Sequence, residues 1–216
     1  MYIPRSNAES RPEVLFDYID AHPLATLVTS APDRGLFATH LPLILRRELG
    51  SHGTLEGHLA RANPHHEHAR ALSPESEVLV IFSGPDAYVT PNWYASKDEH
   101  GKVVPTWNYI AVHVYGTARV TSDESFLRPH LERLVARHEA SQQTPWTIGA
   151  APADYIASQL AAIVGIEIRI TRLEGKWKMS QNRNAADIDG VVHGLSQSER
   201  ATDRDVARIV SERRPK

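Results

Sequence analysis

Apolar and polar positions change period several times along the chain, and each change predicts an element. Ser10-Arg11-Pro12-Glu13 has the form of a capping box, with Ser10 as N-cap and Pro12 in the permissive first turn. Val14, Leu15, Tyr18 and Ile19 follow at helical spacing until His22-Pro23 closes the pattern. Residues 24–29 are short and β-branched, 31–35 carry turn chemistry, and 36–45 resume as strand, so an antiparallel hairpin is expected after the first helix. A third strand is expected over 54–59, and Asn63-Pro64 opens a helix to about residue 72.

Residues 77–82 form a continuous apolar run and read as a buried strand, while 88–107 mix aromatics with prolines and read as strand ends around a long loop. The clearest alternation is over 110–121, with Ile110, Val112, Val114, Ala118 and Val120 on one face and His113, Tyr115, Thr117 and Arg119 on the other. Leu127, Leu131, Leu134 and Val135 repeat at helical spacing, with Pro129 expected to kink the helix or delay its start. Ile156, Leu160, Ile163 and Val164 make a further helix. Residues 165–173 alternate as a strand that Gly175 is expected to turn into 177–180, and 196–210 read as a polar tail helix. Six or seven short strands with a few helices predict an α+β chain built on a closed or nearly closed antiparallel barrel.

Composition then removes whole classes of chemistry. At roughly 150 residues per domain, 216 residues make one generous domain or two small ones. With 41% hydrophobic and 23% charged residues the chain is expected to fold. It has no cysteine, which excludes disulfides, thiol catalysis, thiolate-bound zinc and iron–sulfur clusters. A net charge of −2 argues against a surface given over to nucleic acid. The start of the chain is polar and no apolar run is long enough to span a bilayer, so a cytoplasmic protein is expected, with no membrane partner. The 12 histidines are the compositional excess.

No triad elbow, HExxH, P-loop or GxGxxG pattern is present. Polar and aromatic clusters at predicted strand ends carry the candidate chemistry. In residues 57–64 (GHLARANP) a strand runs into a helix start with Arg61 just before the cap, an arrangement that suits a phosphate or equally an ordinary turn. His65, His66 and His68 follow; a metal there lacks a second ligand pair, and a solvated helix face is the expectation. Residues 83–94 and 105–109 concentrate aromatics that wall a flat ligand or plug a barrel end. In 174–183 (EGKWKMSQNR) Lys178 and Ser180 share one side of a strand, where a lysine balances ligand charge or is merely solvated.

At these same segments the sequence resembles the PaiB-like family of FMN-binding negative transcriptional regulators. Residues 1–4 (MYIP), 57–64, 77–94 (EVLVIFSGPDAYVTPNWY), 104–116 (VPTWNYIAVHVYG) and 174–183 carry the resemblance, which runs to about residue 195. It implies an antiparallel split β-barrel of the FMN-binding type, covering 1–195, with a mildly basic helical tail over 196–216. It also implies FMN as cofactor and a homodimer. On the phosphate side it nominates His58, Arg61 and Asn63; beside the ring, Thr39 and His40; on the closing strand, Lys178, Ser180 and Gln181; and at the pocket or dimer seam, Trp107 and Asn108. His66 stands where relatives are expected to carry an aromatic, while His22, His52, His130 and His193 read as surface or turn positions.

Three functions follow from the resemblance: a repressor, a flavin-dependent oxidoreductase of the pyridoxamine-phosphate-oxidase-like class, and a haem-utilisation protein. Residues 199–216 carry six cations against four acids, a local +2 that makes DNA a weak candidate partner, and no recognition helix is visible. No histidine is marked as a haem ligand, which places that reading last.

Overall fold

The computed structural model describes residues 1–31 and 34–215, so Pro32 and Asp33 of the expected hairpin turn lie outside the described residues. Eight strands join in one sheet in the order β3-β2-β6-β7-β8-β5-β4, with β1 on β8. They are β1 (Ala8–Glu9), β2 (Leu24–Ala31), β3 (Gly35–Pro42), β4 (Ile44–Arg46), β5 (Thr54–Ala60), β6 (Glu77–Val89), β7 (Thr106–Thr121) and β8 (Ile163–Lys178). The helices are α1 (Pro12–Ala21), α2 (His65–Arg70), α3 (Ser96–His100), α4 (Glu124–Glu139), α5 (Ala153–Ala161), α6 (Ala185–Ser196) and α7 (Ala201–Glu212). The α+β class and antiparallel hairpin are as the periodicity predicts: β2 and β3 pair from Leu24 with Pro42 to Ala31 with Gly35.

The chain divides into two compact units. One comprises Phe16–Phe82 and Val114–Leu173. Its interior is apolar side chains from alternate strand positions, Leu27 on β2, Leu55 on β5, Val80 on β6, and Ile166 and Ile168 on β8, all essentially inaccessible. β5 pairs antiparallel with β8, Thr54 opposite Arg169 through Ala60 opposite Ile163. The other face of these strands meets α4: Glu56 is buried between the guanidiniums of Arg46 and Arg133, at 3.0 and 2.6 Å.

The other unit comprises Met1–Leu15, Ser83–His113 and Glu174–Lys216. Here β1 lies on β8, with Ala8 opposite Lys176 and Glu9 opposite Gly175. The apolar face of α7 (Val206, Ala207 and Val210) and Val191 and Leu195 of α6 are buried. Asn184 caps α6 through Oδ1, which accepts the Asp187 N–H at 2.8 Å. Gly190 and Gly194 make a groove for Trp93: a Cβ at Gly194 would lie 2.3 Å from the indole, and one at Gly190 would lie 1.8 Å from the Trp93 carbonyl oxygen.

Several expectations need correction. The strand expected over 36–45 breaks at Leu43, which is buried and whose N–H bonds the Pro23 carbonyl at 2.9 Å. Gly175 makes no turn: β8 runs through it to Lys178, and a Cβ there would meet the Leu15 side chain at 2.3 Å, so the glycine serves a close approach. Pro129 does not delay α4, which begins at Glu124 and contains it. The loop over 88–107 holds α3 and a 3-10 turn at Pro91–Trp93. The sequence pattern does not predict helix α6, and α7 is amphipathic rather than polar throughout.

Candidate functional site

Two polar clusters bring expected site residues together, one in each unit. In the unit of Phe16–Phe82 and Val114–Leu173, Asn63 sits where β5 runs toward α2, and its Oδ1 accepts the His65 N–H at 2.9 Å. The Asn63 amide donates to Thr39 Oγ1 at 3.3 Å, and Thr39 Oγ1 lies 2.8 Å from His65 Nδ1. His65 Nε2 in turn lies 3.0 Å from Thr29 Oγ1. A neutral imidazole that accepts at Nδ1 and donates at Nε2 satisfies the whole run. Burial, with His68 beside it, pushes His65 down to about 4, which keeps the ring neutral. The sequence places His65, His66 and His68 on a solvated face; all three are buried, because α2 turns that side onto the hairpin, where the Phe37 ring lies tilted at 4.9 Å from His65.

His40 does not join this cluster. Neighbouring residues of a strand point to opposite faces, and His40 faces outward with Thr26 Oγ1 at 2.8 Å. His58 is engaged elsewhere too: its Nδ1 lies 3.1 Å from Nε2 of His130 on α4. His130 is wholly buried, not a surface position, and burial with nearby His58 and Arg133 lowers it to about 3. Arg61 holds the end of α5. Its Nε and Nη2 donate to the carbonyls of Ala161 and Ile163 at 2.9 and 3.1 Å, satisfying groups that a helix C-terminus leaves open.

The second cluster, in the unit of Met1–Leu15, Ser83–His113 and Glu174–Lys216, surrounds a pocket of about 100 Å³ at the start of β7 and the end of β8. Ser180 is the one non-glycine residue at positive φ (60°) among the described residues, a conformation that costs of order 1 kcal/mol. It aims a buried hydroxyl at Asn108, whose Nδ2 donates to Ser180 Oγ at 3.0 Å and which has no exposed surface. Lys178 Nζ donates to Thr106 Oγ1. Burial holds its ammonium below the ordinary lysine value, aided by Lys176 and Arg183 and opposed by Tyr109. The Arg183 guanidinium lies over the Tyr94 ring at 4.3 Å, and the Tyr94 hydroxyl is buried. Two cations and no carboxylate line this pocket, so it is built for a ligand rich in acceptors.

Gln181 and Trp107 stand apart from that lining. The Gln181 side chain closes the turn after β8, taking the Met179 N–H at 2.6 Å and donating to the Trp177 carbonyl. Trp107 is 48% exposed, edge-on to Tyr88 at 5.9 Å. Thr106, Tyr94 and Arg183 were not singled out from sequence. Thr106 shares the parity of Asn108 on β7, which is the one signal that points to it.

The chain and its fold match a group of known proteins. Residues 1–172 match the model of a family described as a putative FMN-binding domain. A protein of Emericella nidulans described as uncharacterized is 35% identical, over 99% of this chain and 97% of its own. The Protease synthase and sporulation protein PAI 2 of Bacillus subtilis is 30% identical, over 99% and 98%. Among solved structures, the flavocytochrome Anf3 of Azotobacter vinelandii superposes with a TM-score of 0.58 at 18% identity, over 82% of this chain and 72% of its own. An FAD- and haem-binding protein of Mycobacterium smegmatis superposes with a TM-score of 0.52 at 19% identity, over 85% and 79%. These two likenesses concern the fold, which is the α+β split-barrel type found in flavoproteins. Taken with the full-length relatives, the match over residues 1–172 shows that this chain belongs to the putative FMN-binding domain family.

Proposed function

We propose that the protein binds a flavin, FMN, and that Lys178, Asn108 and Ser180 receive the polar edge of its ring. The observation that carries this reading is the strained, buried Ser180 bonded to a wholly buried Asn108 at the floor of a cationic pocket. The pyrimidine edge of a flavin alternates carbonyl acceptors with one N–H donor. An ammonium, a hydroxyl and an amide offer the complementary pattern. About 100 Å³ accommodates that edge alone, since whole ligands of this size occupy roughly 300 Å³ or more. The residues present therefore fit one end of the group.

A bound flavin supplies hydride and single-electron transfer. The Lys178 ammonium, already partly desolvated, holds positive charge against the acceptor edge. Asn108 fixes the Ser180 hydroxyl, and Arg183 adds a second cation. In the other unit, Thr39 and Asn63 form a polar run of their own, which His65 orients. His40 faces away from Thr39, His58 is engaged with His130, and Arg61 is a positioning residue that holds the end of α5. Lys178→Met is expected to weaken FMN binding by about 1–3 kcal/mol, the cost of removing a charged hydrogen-bond partner. Ser180→Ala is expected to weaken it less, and fluorescence titration with free FMN reads both. Equal affinity in wild type and Lys178→Met would remove the assignment.

On this reading the protein acts as a cytoplasmic homodimer, and the name of the Bacillus subtilis relative favours a regulatory role over an enzymatic one. Direct DNA contact through the tail gains nothing from the geometry of residues 199–215. Arg200 pairs with Asp203, Arg208 with Glu212, Arg213 with Glu9 and Arg214 with Asp189, while Arg204 holds the carbonyls of Ser198 and Glu199.

A further inference from the structure

We propose that a second cleft, at the C-terminal end of α2 over β7 and β8, binds a phosphate monoester with a ring-sized organic part. The cleft encloses about 460 Å³, within the range of small-molecule sites. Arg70 reaches it from the last turn of α2, Arg119 from β7 and Arg169 from β8, against the single carboxylate of Glu167. The local charge is thus +2 in a chain whose net charge is −2. Arg119 and Arg169 both lie on the face opposite the apolar interior positions of their strands, and Gly116 lets β7 approach so closely that a Cβ there would lie 2.3 Å from the Arg169 carbonyl oxygen.

These guanidiniums are poorly satisfied by the protein itself. Arg119 meets Glu167 at a long 3.4 Å, and among the described residues the Arg70 guanidinium reaches only Ser122 Oγ, at 3.5 Å. The Arg169 guanidinium makes no side-chain hydrogen bond or ion pair among the described residues, its backbone being paired in the β5–β8 ladder. Three planar forks around one hollow match the tetrahedral oxygens of a phosphate, which they can grip bidentately. Leu72 and Pro74 supply an apolar floor beside them. That combination of a cationic rim with an apolar floor suits a small ester. A duplex backbone needs an extended row of cations along a ridge instead.

The test is calorimetric titration of inorganic pyrophosphate and of adenosine 5′-monophosphate into the full chain. One saturable site per chain is expected, tighter for the monophosphate ester, with affinity falling about tenfold for each arginine removed in Arg119→Gln and Arg169→Ala. Arg169→Lys should not restore it, because a point charge does not replace the fork. Arg128→Ala, whose guanidinium pairs with Glu124, should leave both affinities unchanged. Flavin content of the same samples should stay constant, which separates this cleft from the pocket at Lys178. No saturable binding, or equal affinity in wild type and Arg169→Ala, overturns the proposal. So does a duplex DNA that binds through these arginines when neither small probe does.

Discussion

Glu9 and His130 show how single residues write the acid stability of this protein. Glu9 accepts from Arg11 and from Arg213, and these bonds outweigh its burial to hold the carboxyl down to about 2, from 4.5. A carboxylate with a lowered folded pKa stabilises the fold above the unfolded value and loses that contribution as pH falls from 4.5 toward 2. His130 and His65 act earlier. Their folded values of about 3 and about 4 lie below the ordinary 6.5, so the unfolded chain takes up protons first as pH drops. Stability should therefore begin to decline just below pH 6.5, by about 1.4 kcal/mol per pH unit for each histidine. Urea midpoints measured from pH 7 to 3 should show this slope, and His130→Leu should flatten the upper part of it. Glu9→Gln should lower stability by about 2–3 kcal/mol at pH 7 and leave the upper slope intact. None of this is legible in sequence. His130 and its partner His58 stand 72 residues apart, and the helix pattern of 124–139 does not reveal that position 130 is buried against a strand.

Among the elements, β7 and the β2–β3 hairpin were readable because one periodicity governs each from end to end. Element α6 was not, since Gly190 and Gly194 dilute its helical pattern and their purpose, seating Trp93, depends on residues a hundred positions earlier. Gly194→Val should therefore cost about 2–4 kcal/mol through overpacking against the indole, seen as a lower melting temperature. The same logic holds at α5, where Arg61 reads as a phosphate ligand in sequence and as a clamp on two carbonyls in the structure. Arg61→Ala should fray the last turn of α5, with faster amide exchange near residues 158–161 as the readout. Deleting 199–216 should likewise unfold part of the protein rather than subtract a tail. It removes the buried Val206 and Val210 and leaves the Glu9 carboxylate without Arg213.

For the whole molecule, sequence supplied the fold class and the family, while the arrangement of the site came from pairings that no local pattern encodes. Lys178 with Thr106, and Ser180 with Asn108, each join positions 72 residues apart, and the tie between them is the neighbouring placement of β7 and β8. Of the ten residues nominated, Asn108, Lys178 and Ser180 meet around one pocket and Thr39 meets Asn63, whereas His40, His58, Arg61, Trp107 and Gln181 are engaged elsewhere. The central claim is that this protein is a flavoprotein whose cofactor is held at Lys178. It is tested most directly by the absorbance spectrum and mass of the small molecule released from purified wild-type and Lys178→Met protein. Yellow wild-type protein releasing FMN, with the variant depleted of it, is the predicted result; colourless wild-type protein that takes up no added FMN would contradict the account.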